Sequence, residues 1–260
     1  DSVKKIDSDY YASVVLKETF DRYTPTTKTL TKIMEASREI GSDYYQASIL
    51  SEVLELEELD GATIDAIIES TEDIGSDYYQ SQILKKAIEL EDLSSTSYQE
   101  LLEAIADVSS DYYMASVFSN VLDNQLDADV QEKIIVLVND RISSDHYASS
   151  VLSKMLEEQK LSDEASERLM EAVADINSSH YSSSILKKAS QRDDLSKATV
   201  LSLIKSVEDM DSDYYIAQVL QNLARHVRRL DDADVRKAYK NAADQIDSDT
   251  YYGRTIRAID

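Results

Sequence analysis

The sequence has no cysteine, no tryptophan, one proline, four glycines and three histidines among 260 residues. Without cysteine there is no disulfide framework and no thiolate-bound zinc or iron–sulfur centre. Four glycines cannot build a glycine-rich phosphate loop, and so little glycine and proline excludes collagen-like or Gly/Pro-rich disordered chains. Positive charge is also scarce: 27 Lys and Arg face 51 Asp and Glu, a net charge of −24. Such a surface repels phosphate, which argues against nucleic-acid binding. No apolar run approaches the roughly 18 residues of a membrane helix, so direct membrane insertion of this chain is not expected. The longest run is Ile134-Ile135-Val136-Leu137-Val138. No basic segment leads into an apolar one, so no signal peptide is read. The missing thiols suit an oxidising compartment and give a periplasmic or secreted location as the expectation. The first residue, Asp1, is not Met, which suggests that an upstream segment is removed.

What is present is a folded core's worth of apolar residues, 42%, arranged in a repeat. IDSDYYASVVL from Ile6 returns as IGSDYYQASIL from Ile40 and IGSDYYQSQIL from Ile74. It continues as VSSDYYMASVF from Val108, ISSDHYASSVL from Ile142, INSSHYSSSIL from Ile176 and MDSDYYIAQVL from Met210. A decayed copy, IDSDTYYGRTI, starts at Ile246; the spacing is 34 six times and then 36. Between copies lies a leucine followed by Ser or Asp, as at Leu59-Asp60, Leu93-Ser94 and Leu195-Ser196. Each repeat thus has two start signals about 17 residues apart, enough for one helix and a short turn each.

Apolar spacing agrees. Tyr45, Ile49, Val53 and Leu56, then Ile64, Ile67 and Ile68, follow a helical period and not strand alternation. Ser or Asp at each start can cap the helix, an acid there complements its dipole, and Leu59 with Ile64 has the spacing of a hydrophobic staple. Pro25 after Thr24 suits the first position of a helix. The expected fold is an all-α, right-handed α-solenoid of about seven 34-residue αα-hairpins, HEAT- or TPR-like in kind. It reads as a single domain over 1–260, with repeats starting near 8, 42, 76, 110, 144, 178 and 212 and a partial one from 248. Stripe residues Val3, Ile6, Ile256 and Ile259 persist at both ends, where solenoids carry polar caps, so the chain reads as an excerpt of a longer protein.

The recurring SDYY phrase resembles the S-D-Y-Y/E tandem repeats of bacterial proteins. Tetratricopeptide repeats match in length but not in their tryptophan or proline, and the proline usual in HEAT repeats is absent. The resemblance implies a HEAT-like solenoid and an extracytoplasmic extension of a membrane-anchored protein, including sensor-like metallopeptidases of the penicillin-receptor type. It implies no catalytic residue here, since no H-E-x-x-H occurs, and would place any enzyme part outside this chain.

Four sets of residues are candidates. The second tyrosine of the phrase, at Tyr11, Tyr45, Tyr79, Tyr113, Tyr147, Tyr181, Tyr215 and Tyr251, lies in register with the apolar stripe and reads as structural, half-buried with its hydroxyl bonded nearby. The first, at Tyr10, Tyr44, Tyr78 and Tyr112, then His146 and His180, then Tyr214, lies about 100° round the helix. Its tolerance of histidine implies exposure. Stacking would make it a row, serving either packing between repeats or recognition of a partner. The aspartates, among them Asp43, Asp77 and Asp111, read as helix caps; one per repeat cannot gather calcium's six to eight oxygens. Arg225, His226, Arg228 and Arg229 form a basic cluster, read as an exposed face pairing with Asp231 and Asp232 or as a docking point for an acidic neighbour.

No nucleophile elbow appears, and acid pairs such as Glu57-Glu58 are adjacent rather than set across a cleft. No catalytic residue, metal or cofactor is therefore expected. The functional expectation is a non-catalytic scaffold binding a protein or peptide, with the acidity favouring a basic partner. The alternatives are a sensor or regulatory segment of a membrane-anchored enzyme, and a structural spacer.

Overall fold

A computed structural model describes residues 6–22, 25–56, 59–90, 93–193, 195–208 and 210–260. Val3 and the pair Glu57-Glu58 lie outside these residues. The fold is an all-α helical repeat: fifteen α-helices and no strand among the described residues. The chain divides into two compact units, Asp1–Val121 and Leu122–Asp260.

The first unit holds α1 (Asp9–Arg22), α2 (Thr27–Ser37), α3 (Asp43–Val53), α4 (Gly61–Ser70), α5 (Asp77–Ile88), α6 (Ser95–Ala106) and α7 (Asp111–Val121). Odd-numbered helices open on the SDYY phrase; α4 and α6 open on the mid-repeat signal, and α2 on Thr26. Like packs on like: α1 on α3, α3 on α5, α5 on α7, and α2 on α4, α4 on α6. Between the two layers lie Ile49, Leu50, Val53, Ile67, Ile68, Ile83, Leu84, Leu101, Leu102 and Ile105, all sealed from solvent. A single hairpin leaves one apolar face bare, and stacking covers it.

The even-numbered helices of this unit carry side-chain caps, at α4 and α6 where the sequence indicates them. Thr26, Asp60 and Ser94 side chains accept from the backbone N–H of Thr29, Thr63 and Ser97. Each such cap is worth about 1 kcal/mol. Pro25 is placed differently from expectation. It precedes the cap Thr26 instead of opening the helix, because the threonine side chain claims the cap position.

The second unit repeats the plan with α8 (Ala128–Arg141), α9 (Asp145–Glu158), α10 (Asp163–Ala174), α11 (Ser179–Ser190), α12 (Lys197–Lys205), α13 (Asp213–Leu230), α14 (Ala233–Ala243) and α15 (Asp249–Ala258). Here α9, α11, α13 and α15 stack in series, as do α8, α10, α12 and α14. The 36-residue spacing has a structural outlet. Its extra length goes into α13, at 18 residues the longest helix among those described. That helix stops at Asp231, whose left-handed backbone (φ 47°) is unusual for a residue with a side chain.

Candidate functional site

The SDYY phrase builds two features at the start of each odd-numbered helix, and the first corrects the capping expectation. Ser42, Ser76, Ser144, Ser178, Ser212 and Ser248 hold the cap position without a side-chain cap bond. Except after Ser178, where Ser179 follows, an aspartate is the first helical residue, and five of these carboxylates reach forward to the next repeat. Asp9 accepts from the Gly41 N–H (3.3 Å), Asp43 from Gly75 (3.2 Å) and Asp77 from Ser109 (3.1 Å). In the second unit Asp145 accepts from Ser178 (2.9 Å), and Asp213 from both Asp247 (3.3 Å) and Ser248 (2.9 Å). The aspartate is thus a clamp between repeats. From the first helical position a short carboxylate reaches an adjacent turn more readily than its own backbone. Asp111 opens α7 in the same way.

The second feature is a zigzag of aromatic rings. In the first unit Tyr10, Tyr44 and Tyr78 each meet the second tyrosine of their own repeat and that of the next, edge to face. The Tyr10 ring lies 5.1 Å from Tyr11 and 5.9 Å from Tyr45. Tyr44 lies 5.1 Å from Tyr45 and 5.9 Å from Tyr79, Tyr78 5.1 Å from Tyr79 and 6.0 Å from Tyr113, and Tyr112 5.0 Å from Tyr113. These are favourable ring-pair separations, and they fix the rings' orientation. The first tyrosines still face solvent: Tyr44 is 54% exposed, Tyr78 48% and Tyr112 54%. Packing between repeats and exposure therefore coexist in one side chain.

Tyr45, Tyr79 and Tyr113 are half-buried, whereas Tyr11 is 63% exposed. Below the rings, Ser13 and Ser81 hydroxyls donate to the carbonyls of Tyr10 and Tyr78.

The second unit carries the same zigzag with two imidazoles in it. His146 lies 4.9 Å from Tyr147 and 5.6 Å from Tyr181; His180 lies 5.2 Å from Tyr181 and 5.9 Å from Tyr215. Tyr214 completes the row, 5.1 Å from Tyr215 and 6.0 Å from Tyr251. His180 Nδ1 is 3.2 Å from the Tyr215 hydroxyl. Both histidines are exposed, and among the described residues no three His, Asp or Glu side chains converge as a metal would require.

Between α3 and α5 the row opens into a groove of about 340 Å³. Tyr44, Tyr78 and Tyr79 wall one end, Ala47, Ser48, Ser51 and Ile83 lie along it, and Glu52 and Glu55 stand at the other. Cross-repeat ion pairs brace this face. Lys17 bonds Ser48 and Glu52, Lys86 reaches Ser51 (2.5 Å) and Glu55 (2.8 Å), and Lys85 reaches Ser116 (2.6 Å). Lys86 holds the Glu55 carboxyl below the usual range.

The arginines of the basic cluster on α13 are exposed as expected, but they do not pair with Asp231 and Asp232; Arg225 pairs with Asp193 (3.2 Å). Arg225 donates to the carbonyls of Gln191 (2.5 Å) and Arg192 (3.2 Å), and Arg229 to that of Leu195 (2.5 Å). His226 Nε2 donates to the Ser190 carbonyl at 2.8 Å. Arg225 and His226 satisfy orphaned carbonyls where α11 ends, and Arg229 that of Leu195 just ahead of α12. Arg228 bonds the Ala258 carbonyl, and Asp232 pairs with Lys197 (2.8 Å) instead. His226 is 2% exposed with Nδ1 unbonded; burial pushes its pKa down and keeps the ring neutral.

Burial pushes the carboxyls of Glu72 and Glu100 in the first unit up instead, and neighbouring acids add to it. Sequence reasoning missed one clamp altogether: Gln159, almost fully buried, donates to the carbonyls of Leu122 and Asn124 and accepts from the Leu126 N–H. It also missed the cross-repeat lysines, although Lys86 with Glu55, Lys154 with Asp123 and Lys188 with Glu157 are all 31 residues apart.

No protein-family model matches the chain, and no curated protein does. A solved structure from "Computational Design of Self-Assembling Cyclic Protein Homooligomers" aligns with all of this chain and 90% of its own, at 12% identity and a TM-score of 0.17. At that score the alignment bears on neither shape nor assembly. No helix among the described residues is long and apolar enough to cross a membrane.

Proposed function

We propose that this chain is a non-catalytic helical-repeat scaffold that binds a protein or peptide along its row of first tyrosines. One observation carries the reading. The same aromatic side chain recurs at the same place in successive repeats, about half exposed, with its ring orientation set by neighbouring rings. Tyrosine is enriched among the residues that dominate interface energies, and a pre-oriented ring loses little freedom on binding. Packing alone does not require half of each ring in water, since an apolar residue buried at that position would pack as well. A scaffold needs no nucleophile, base or metal, in keeping with an all-helical repeat that presents side chains from regular elements.

A peptide-display selection on the folded chain tests this. Enriched peptides should lose at least about tenfold in affinity when Tyr44 and Tyr78 are both changed to alanine, the loss expected from two contact aromatics. A selection that enriches nothing sinks the proposal.

A further inference from the structure

We propose that the tyrosine row of the first unit takes an extended cationic segment, with an arginine or lysine at every third residue seated between exposed rings of successive repeats. This rests on the partner-binding reading above and names the partner's chemistry. Three observations converge on it.

The first is charge. Residues 1–121 hold 25 acidic and 9 basic side chains, a net −16, whereas residues 122–260 hold 26 and 18, a net −8. The lysines on the odd-numbered helices of the first unit are already committed: Lys17 to Glu52, Lys86 to Glu55, Lys85 to Ser116. Asp9, Asp43 and Asp77 sit immediately before the exposed rings, each accepting from a backbone N–H of the next repeat. A cation approaching the row therefore meets net negative potential with little local competition.

The second is ring chemistry. A tyrosine face attracts an ammonium or guanidinium through its quadrupole, most strongly when the ring cannot turn away. The edge-to-face contacts hold these rings in place. The groove beside Tyr44 and Tyr78, about 340 Å³ and lined also by the Glu55-paired Lys86, has room for a long aliphatic stem while the charged head stays near water.

The third is pitch. Ring separations of 5.9 Å from Tyr10 to Tyr45 and 5.1 Å from Tyr45 to Tyr44 put successive exposed rings no more than about 11 Å apart. Three residues of polyproline-type chain make one turn of roughly 9 Å and bring every third side chain to the same face. One residue triplet per repeat keeps such a chain in register over Tyr10, Tyr44, Tyr78 and Tyr112. The second unit is less suited, because His146 and His180 interrupt its row and its net charge is half as negative.

Two labelled peptides of identical composition, one with arginine at every third position in a Gly/Ser background and one with the arginines in a block, are titrated into the full chain. Fluorescence anisotropy is read at about 0.15 M salt, where only close charges escape screening. The spaced peptide should bind about tenfold tighter than the block, consistent with a few cation–π contacts. Tyr44→Ala with Tyr78→Ala should remove that advantage, and Tyr44→Phe with Tyr78→Phe, which keeps the ring faces, should retain it. Thermal melts by circular dichroism verify that each variant is folded; should the alanine pair fail to fold, loss of the advantage in Tyr44→Gln alone replaces it. Equal binding of the two peptides, or an advantage that survives loss of the rings, overturns the proposal. If the display selection instead yields tyrosine-dependent peptides without cationic residues, the cationic assignment falls and the scaffold reading stands. If it yields nothing, both fall.

Discussion

The two units are built from one phrase yet carry different chemistry. The first has an uninterrupted tyrosine zigzag, a net charge of −16 and two carboxyls, Glu72 and Glu100, that take up protons more readily than usual. The second has two imidazoles in its zigzag, a net charge of −8, and exposed arginines of α13, Arg225 and Arg229, that reach back to carbonyls between α11 and α12. The apolar stripe is shared, because it must fill the same space between layers in every copy. The exposed positions are free to differ, and there the units diverge. In such an array the stripe specifies the scaffold, and the surface letters specify what each stretch does.

The shared scaffold gives the largest expected effect. Leu84 and Leu186 occupy equivalent places in the two units, both fully buried. Leu84→Ala and Leu186→Ala should each cost about 2–5 kcal/mol in urea denaturation, as for other buried leucines. A large difference between them would break the claim that the cores are equivalent.

The clamps come next. Ser179 stands where the other full copies of the phrase have aspartate, so α11 lacks the carboxylate that holds the following turn elsewhere. Asp77→Ala should destabilise by about 1 kcal/mol through loss of one charged bond at the surface, and Ser179→Asp should stabilise by a similar amount. Thermal unfolding of both variants checks this; a Ser179→Asp protein no more stable than the parent would argue against a general clamp.

Mild acid should separate the units further. The His226 pKa is lowered in the fold, so the unfolded chain binds its proton more readily. The histidine's contribution is complete above its ordinary value of 6.5 and is lost as pH falls from there toward the lowered folded value. Glu72 and Glu100 have raised values, so the folded state binds their protons more readily and the first unit gains as pH falls through those values. Hydrogen exchange followed from pH 7 to about pH 5 should show falling protection around α11 and α13 and steady or rising protection around α4 and α6, by linkage. His226→Gln, which can still donate to the Ser190 carbonyl, should remove the acid loss.

Salt gives the smallest effect. Screening relieves self-repulsion, so raising sodium chloride from about 0.02 to 0.5 M should protect the first unit more than the second. Equal protection would mean that local pairs such as Lys86 with Glu55 already offset the excess charge.

Much of the fold is legible in the sequence because its determinants are local. Ile49, Val53, Ile64 and Ile67 reveal their helices by spacing, and Asp60 and Ser94 mark helix starts by side-chain chemistry that acts within three residues. The exposure of Tyr44 and Tyr78 was readable from the histidines that replace their counterparts at His146 and His180. The aspartates were read as caps because capping is the local use of such a residue. Their true partners, such as Gly75 for Asp43, lie 32 residues away. The arginines of α13 were read against the neighbouring Asp231 and Asp232 for the same reason, although their acceptors lie more than 30 residues back.

By itself, then, the sequence determined the repeat, its helices and the side chains that line its core, since each depends on periodicity or on contacts within a turn. The tertiary structure alone decided what the surface residues do. Within each unit it joined the rings into a zigzag, turned Asp9, Asp43, Asp77, Asp145 and Asp213 toward the next repeat, and buried His226 against a carbonyl. Those outcomes depend on the distance and angle between stacked hairpins, which only packing sets.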